Sequence, residues 1–218
     1  MARIGETPGR FKFEAAPVIL FNPAVISPKS QNFSKPGAKK QNISEPSYFV
    51  QALIPPDHPE LKALKDDMKA VAKAEWGPDV KLDTISFPLS DGTKRFAENK
   101  KLEAFNGMVV LRAGSKLYAP ALFYVAGGKV IEVDEAMRTQ ASSKFYSGVE
   151  ASIEVNLVAW EVDDNKSVVA YLSSVCSLCT GKKLGGAGPA RYEGFARNVG
   201  TISDVDPSAG ADDDEIPF

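Results

Sequence analysis

Two long stretches of alternating residues constrain the fold of this chain more than any other feature of its sequence. In residues 148–162, GVEASIEVNLVAWEV, apolar and polar side chains alternate, and near Trp160 the second face also becomes apolar. The first apolar face carries Val149, Ile153, Val155 and Leu157. DDNK at 163–166 has the composition of a turn, and SVVAYLSSVCSL at 167–178 returns as an antiparallel partner. We interpret the first stretch as a barrel strand whose buried side changes along its length.

The remaining β-rich stretches complete a small barrel. Further strands are predicted at 17–22, 47–54, 107–112 and 119–133. Several strands around one mid-chain helix predict a mainly β protein, an OB-fold-like Greek-key barrel with one inserted helix. We expect this domain to span residues 1–198 and to be followed at 199–218 by a disordered acidic tail.

The inserted helix follows the sequence PPDHPE. An apolar stripe at helical spacing marks it, made of Leu61, Leu64, Met68 and Val71. Asp57 and Glu60 have the spacing of a capping box, and Gly77 with Pro78 ends the pattern. The charged residues on its other face are expected to be solvated, without a membrane or partner role.

The sequence offers little for catalysis, metal binding or membrane insertion. The chain has one histidine, His58, and two cysteines, Cys176 and Cys179, which are too few for a disulfide framework, a structural zinc site or a nucleophilic triad. Residues 182–191, KKLGGAGPAR, lack the spacing of a phosphate-binding P-loop. No stretch reaches the roughly 18 apolar residues that span a membrane. We therefore expect a cytoplasmic protein that is not an enzyme and needs no cofactor.

Charge divides the chain unevenly. Residues 1–198 contain all 26 Lys and Arg and 22 of the 28 Asp and Glu, a net charge of +4, whereas residues 199–218 carry six acids and no base. Within the basic part, cations are interleaved with aromatic residues, the two kinds of side chain that a single-strand binder needs for phosphates and for bases. The DNA-binding residues predicted from this composition are Lys35, Lys39, Lys40, Lys94, Arg95, Lys100, Lys101, Arg112, Lys116, Tyr118, Arg138, Lys144, Phe145, Tyr146 and Arg191.

The final residues combine an acidic run with an apolar end. Asp212, Asp213, Asp214 and Glu215 precede Ile216, Pro217 and Phe218. A solubilising tail would explain the acids but not the apolar end. We predict that this segment binds partner proteins, with Phe218 in an apolar pocket and the acids on a basic rim. The same segment could lie over the basic domain and be displaced by nucleic acid.

DDDEIPF resembles the acidic tip of bacterial single-stranded-DNA-binding proteins, which commonly ends in Asp-Asp-Asp-Ile-Pro-Phe, and Glu215 is an insertion relative to it. The rest of the chain is similar to a family of phage-encoded single-stranded-DNA-binding proteins with an OB-fold. This second resemblance runs through FPLSDGT at 87–93, FYSG at 145–148, the strand pair 149–178, KKLGG and EGF at 193–195.

The resemblance implies sequence-independent binding of single-stranded DNA. It also implies a role in phage DNA replication, recombination and repair in the host cytoplasm, with replication or repair proteins recruited by the tail. Two alternatives remain open from the sequence. One is a recombination protein that anneals complementary strands, and the other is an adaptor that binds only proteins.

Overall fold

The computed structural model describes residues 9–31, 43–99 and 102–184. The strands are β1 (Arg10–Lys12), β2 (Val18–Lys29), β3 (Ser47–Ile54), β4 (Leu89–Asp91), β5 (Val109–Ser115), β6 (Ala121–Ala126), β7 (Lys129–Val133), β8 (Glu150–Val162) and β9 (Asn165–Ser177). The helices are α1 (Leu61–Trp76) and α2 (Gly92–Glu98), and single 3₁₀ turns cover Leu82–Thr84, Glu103–Phe105 and Gln140–Lys144. The predicted mainly β class is confirmed.

Five of the strands close into a barrel. β2 pairs with β3, β3 with β5, β5 with β9, β9 with β8, and β8 pairs back with β2. All of these pairings are antiparallel except that of β5 with β9. A closed five-stranded barrel with this order is the arrangement of an OB-fold. The predicted OB-like barrel is therefore confirmed, with β1 added to β8 and the β6–β7 hairpin added to β9.

The junction between β5 and β9 is unusual. The two strands share a single register pair, Gly114 with Tyr171. Residues 86–91, which we call the insert, fill the gap beyond that pair. The amide of Ser86 donates to the carbonyl of Lys166 at 3.0 Å, and the insert's β4 pairs with β5. The barrel is thus closed on this side partly through a segment that is not one of its five strands.

The long strand β8 keeps one face inside along the barrel. Its buried residues include Ile153, Val155 and Leu157, as the alternation predicts. The predicted change of buried side near Trp160 is wrong, because the apolar side chains at the end of β8 remain outside, with Trp160 53% exposed. The β8–β9 hairpin therefore presents apolar side chains to solvent.

Helix α1 buries the predicted stripe of Leu61, Leu64, Met68 and Val71 and packs against β8. The predicted capping box does not form, because Glu60 is itself the N-cap residue and makes no side-chain cap bond. Its carboxylate instead accepts the amide of Glu14 at 3.1 Å. The spacing of Asp57 and Glu60 predicts a local capping bond. The Glu60 side chain instead makes a tertiary contact with Glu14, which the spacing alone does not reveal.

The short helix α2 was not predicted as a helix. Its N-terminus is capped by Asp91, whose Oδ1 accepts the amides of Thr93 at 2.8 Å and Lys94 at 3.4 Å. The predicted domain boundary at 198/199 and the predicted tail lie outside the described residues. Within the described ranges, no helix is both long and apolar enough to cross a membrane.

Candidate nucleic-acid interface

A groove of about 760 Å³ runs over the outer face of β3, β5 and β9. The insert forms one wall, and Trp160 and Ser167 of the β8–β9 hairpin form part of another. The groove follows from strand alternation, since each of its floor strands buries one set of side chains in the barrel and turns the other set outward. Those outward side chains determine what the groove can bind.

Two aromatic rings lie in one row across the floor. Phe49 of β3 is paired with Gly114 of β5, and Gly114 is paired with Tyr171 of β9. Residues opposite each other in a sheet share a face, so the two rings flank a position that has no side chain. A Cβ on Gly114 would lie 2.9 Å from the carbonyl oxygen of Tyr48, which requires glycine there. Tyr171 is 40% exposed, so part of its side chain is accessible from the groove.

Further aromatic surface borders this row. Trp160, opposite Ser167 in the β8–β9 ladder, and the half-buried Phe87 of the insert also line the groove. The hydroxyl of Ser167 donates to the carbonyl of Trp160 at 3.2 Å, which ties the hairpin together at this point. Planar rings from four different elements thus surround one cavity.

Three of the predicted cations enter the same groove: Arg95, Arg112 and Lys116. Arg112 is exposed, and its Nη2 donates to Oε1 of Gln31 at 3.3 Å. The ammonium group of Lys116 lies 3.4 Å from the Glu45 carboxylate, an exposed pair that contributes little to stability and that a phosphate can replace. These two cations line the groove where solvent reaches them.

Arg95 is held more tightly than the other two. Its Nη2 donates to Oε1 of Gln51 at 2.8 Å, and its guanidinium carbon lies 4.6 Å from the centre of the Phe105 ring. Burial lowers the pKa of Arg95, and the nearby positive charge of Arg112 lowers it further. Both effects disfavour the charged guanidinium, and an anion placed beside it would offset them.

Two buried polar atoms in this part of the groove have no hydrogen-bond partner among the described residues. They are Nη1 of Arg95 and the hydroxyl oxygen of Ser90, and both residues line the groove. A buried donor without an acceptor is costly, so such atoms usually mark a place where water or a ligand binds. A phosphate oxygen is an acceptor suited to both.

Several predicted DNA-binding residues lie away from the groove. Arg138 is buried and donates from Nη1 to the carbonyl of Val25 at 3.0 Å and from Nη2 to that of Pro120 at 2.7 Å. Phe145 is 6% exposed and belongs to the core. A buried guanidinium bonded to two backbone carbonyls and a core ring are placed for structure rather than for contact with a ligand. The composition argument selected these two because it could not distinguish inward from outward side chains.

The other predicted residues occupy varied positions. The hydroxyl of Tyr146 lies within hydrogen-bond distance of the carbonyls of Thr180 and Gly181, and Lys144 lies over the ring of Tyr124 at 5.7 Å. Lys94 is exposed on α2 without lining the groove, and Tyr118 is exposed in the loop after β5. Outside the described residues lie Lys35, Lys39, Lys40, Lys100, Lys101, Arg191 and the segment from Asp212 to Phe218.

The groove's aromatic residues were not identified from the sequence. Phe49, Trp160 and Tyr171 stand in strands that the alternation predicted, but at positions assigned to no site. For Phe49 and Tyr171 a signal was available, since each lies on the polar face of its strand, where an aromatic residue is unexpected. A cavity without acids also fits an anionic ligand, because the groove lining includes three cations and no Asp or Glu.

Metal chemistry finds no support in the part of the chain that is described. Among residues 9–31, 43–99 and 102–184, no group of three or more His, Cys, Asp or Glu side chains is placed to hold a metal ion. Burial raises the pKa of the Cys176 thiol, which disfavours the nucleophilic thiolate form.

A closed five-stranded barrel whose second, third and fifth strands carry rings and cations in one groove has the features of the oligonucleotide-binding OB-folds. Comparison with known families agrees. The sequence model of the family described as "Enterobacter phage Enc34, ssDNA-binding protein" matches residues 31–205. The chain belongs to this family of phage single-stranded-DNA-binding proteins.

Solved structures show the same fold. The single-stranded DNA-binding protein from bacteriophage Enc34 in complex with ssDNA is similar with a TM-score of 0.60 and 19% identity, over 81% of this chain and 90% of that chain. A second structure of the Enc34 protein has a TM-score of 0.60 and 18% identity, over 86% of this chain and 90% of that chain. A comparison with curated proteins gave no match.

Proposed function

We propose that the protein binds single-stranded DNA without sequence preference and so protects and organises it during phage DNA replication, recombination and repair in the host cytoplasm. The observation that carries this proposal is the groove, in which Phe49 and Tyr171 flank Gly114 and three cations line the walls. Membership of the Enc34 family supports it.

In this proposal the aromatic rings bind the bases and the cationic side chains bind the phosphates. Stacking of a base on an aromatic side chain contributes about 1–3 kcal/mol and is insensitive to base identity, because every base has a flat apolar face. The cations hold the phosphates, which are common to all sequences. A groove floored by β-strands admits one strand whose bases are unpaired, whereas in a duplex the faces of the bases are already stacked on one another.

The test compares oligo-dT, oligo-dA and a duplex in a gel shift. We expect both single strands to shift at lower protein concentrations than the duplex. Replacing Phe49 and Tyr171 together by Ala should weaken both shifts, while Val130→Ala, which alters an exposed apolar residue of β7 outside the groove lining, should not. Equal shifts for the double variant and the parent would refute the groove as the binding site.

We further propose that residues 212–218 recruit replication or repair proteins and that they compete with DNA for the basic domain. The net charges of −6 on residues 199–218 and +4 on residues 1–198 support this competition. Deleting residues 212–218 should preserve or strengthen binding to oligo-dT and abolish capture of a host replication protein. Loss of DNA binding on deletion would contradict the competition.

A further inference from the structure

The loop between β5 and β6 exposes two large apolar side chains next to each other. Leu117 is 85% exposed and Tyr118 is 77% exposed, more than any other large hydrophobic residue in the described ranges. Single exposed apolar residues are ordinary on protein surfaces, whereas an adjacent exposed pair offers an apolar surface that a ligand can cover.

This loop, residues 116–120, is firmly anchored at both ends. At its start, the amide of Tyr118 donates to the hydroxyl of the buried Ser115 at 3.2 Å. At its end, the carbonyl of the buried Pro120 accepts from Arg138 at 2.7 Å, and the same guanidinium donates to Val25 in β2 at 3.0 Å. The loop therefore presents its apolar pair on a fixed base.

The loop lies directly beyond the candidate DNA groove. Strand β5 supplies Arg112 and Gly114 to the groove, and Lys116 at the start of the loop is the last residue of this segment that lines it. A polynucleotide that extends beyond Lys116 at this end of the groove meets Leu117 and Tyr118. A nucleobase at that point is the occupant that continuity with the groove favours over a protein partner.

We propose that Leu117 and Tyr118 form an apolar wedge that unstacks the base pair at a junction between single and double strand, where the strand leaves the groove. The inference rests on the proposed function and adds an active step to it. Apolar side chains inserted between base steps compensate the lost stacking by their own removal from water. Arg138, predicted from sequence to touch DNA, acts instead as the residue that positions this wedge.

The experiment uses the full-length protein and a forked DNA with an oligo-dT arm and a 2-aminopurine in the first base pair of the duplex. The fluorescence of 2-aminopurine rises when it is unstacked. We expect the parent protein to raise it at the fork and to leave it unchanged for a 2-aminopurine in the duplex interior. The variant Leu117→Ser should lose most of that rise while binding oligo-dT as the parent does.

Two controls make the result specific. Val130→Ser removes an apolar side chain that is 65% exposed on β7, outside the loop and the groove lining, and should keep the full rise. Leu117→Met with Tyr118→Phe keeps the loop apolar and should also keep it. An equal rise for the parent and the serine variant would overturn the wedge and leave the loop as a protein contact.

The remaining outcomes are also decisive. Weaker binding of oligo-dT by the serine variant, with the fold intact by circular dichroism, would place the loop inside the groove interface and refute a separate wedge. If the parent protein does not bind oligo-dT, the proposed function fails and the wedge fails with it. Binding of oligo-dT without any rise at the fork refutes the wedge alone.

Discussion

Arg95 offers the sharpest test of the proposal that the groove holds a phosphate. Its guanidinium is fixed by Gln51 and Phe105, and its Nη1 has no hydrogen-bond partner among the described residues. A hydrogen bond from a charged donor to a phosphate contributes about 1.5–3 kcal/mol, so Arg95→Gln should weaken oligo-dT binding roughly 10- to 150-fold at low salt. If one phosphate contact is lost, the slope of log affinity against log salt should become shallower by about 0.7.

The substitution should leave the fold nearly as stable as before. It removes the bond to Gln51 and the contact with Phe105, but it also removes a partly buried charge, and we expect these terms to offset within roughly 1 kcal/mol. The measurement is fluorescence anisotropy of labelled oligo-dT over a salt series, accompanied by thermal unfolding. Arg95→Lys should retain most of the salt slope while losing affinity, because lysine keeps the charge but not the planar fork.

Lys94→Gln is the matched control, since Lys94 neighbours Arg95 in α2 and is exposed without lining the groove. The control should change affinity far less than Arg95→Gln does. The reasoning is refuted if the two variants lose the same affinity, or if the salt slope of Arg95→Gln equals that of the parent protein.

Three further outcomes can be measured directly. Phe49→Ala and Tyr171→Ala should each reduce the free energy of binding oligo-dT by about 1–3 kcal/mol with an unchanged salt slope, and a shallower slope in a titration would show that they do more than stack. Arg138→Gln should destabilise the fold by roughly 2–4 kcal/mol in urea unfolding, because two carbonyls lose a charged donor, and an unchanged midpoint would contradict this. The raised pKa of Cys176 means that the thiolate forms only at higher pH, so iodoacetamide should label Cys176 more slowly in the folded protein than in urea; equal rates would disprove this.

The sequence was sufficient for the barrel because alternation reports burial directly. The pair 148–162 and 167–178 became β8 and β9, and the helical stripe became α1. Those patterns depend on local periodicity, which can be read from a short stretch of neighbouring residues. The insert could not be anticipated in the same way, because residues 86–91 acquire their place only from pairing with β5 and β9, far away along the chain.

The candidate groove was recovered only in part from the sequence. Composition selected Arg95, Arg112 and Lys116, which the structure places around one cavity, and it also selected Arg138 and Phe145, which are buried. Counting cationic and aromatic residues does not show whether their side chains point into the core or toward the surface. The row of Phe49, Gly114 and Tyr171 depends on the register between three strands, and no single strand reveals it.

The narrow junction of β5 with β9 has a consequence for motion. One register pair, Gly114 with Tyr171, joins the two strands directly, and the insert bridges the remainder. Because so little direct pairing joins β5 to β9, this junction should open locally with a low free-energy cost. It lies in the part of the sheet over which a ligand in the groove would bind. A polynucleotide bound across both strands would disfavour their separation. Saturation with oligo-dT should therefore slow amide hydrogen exchange at residues 113–115 more than in the middle of β8.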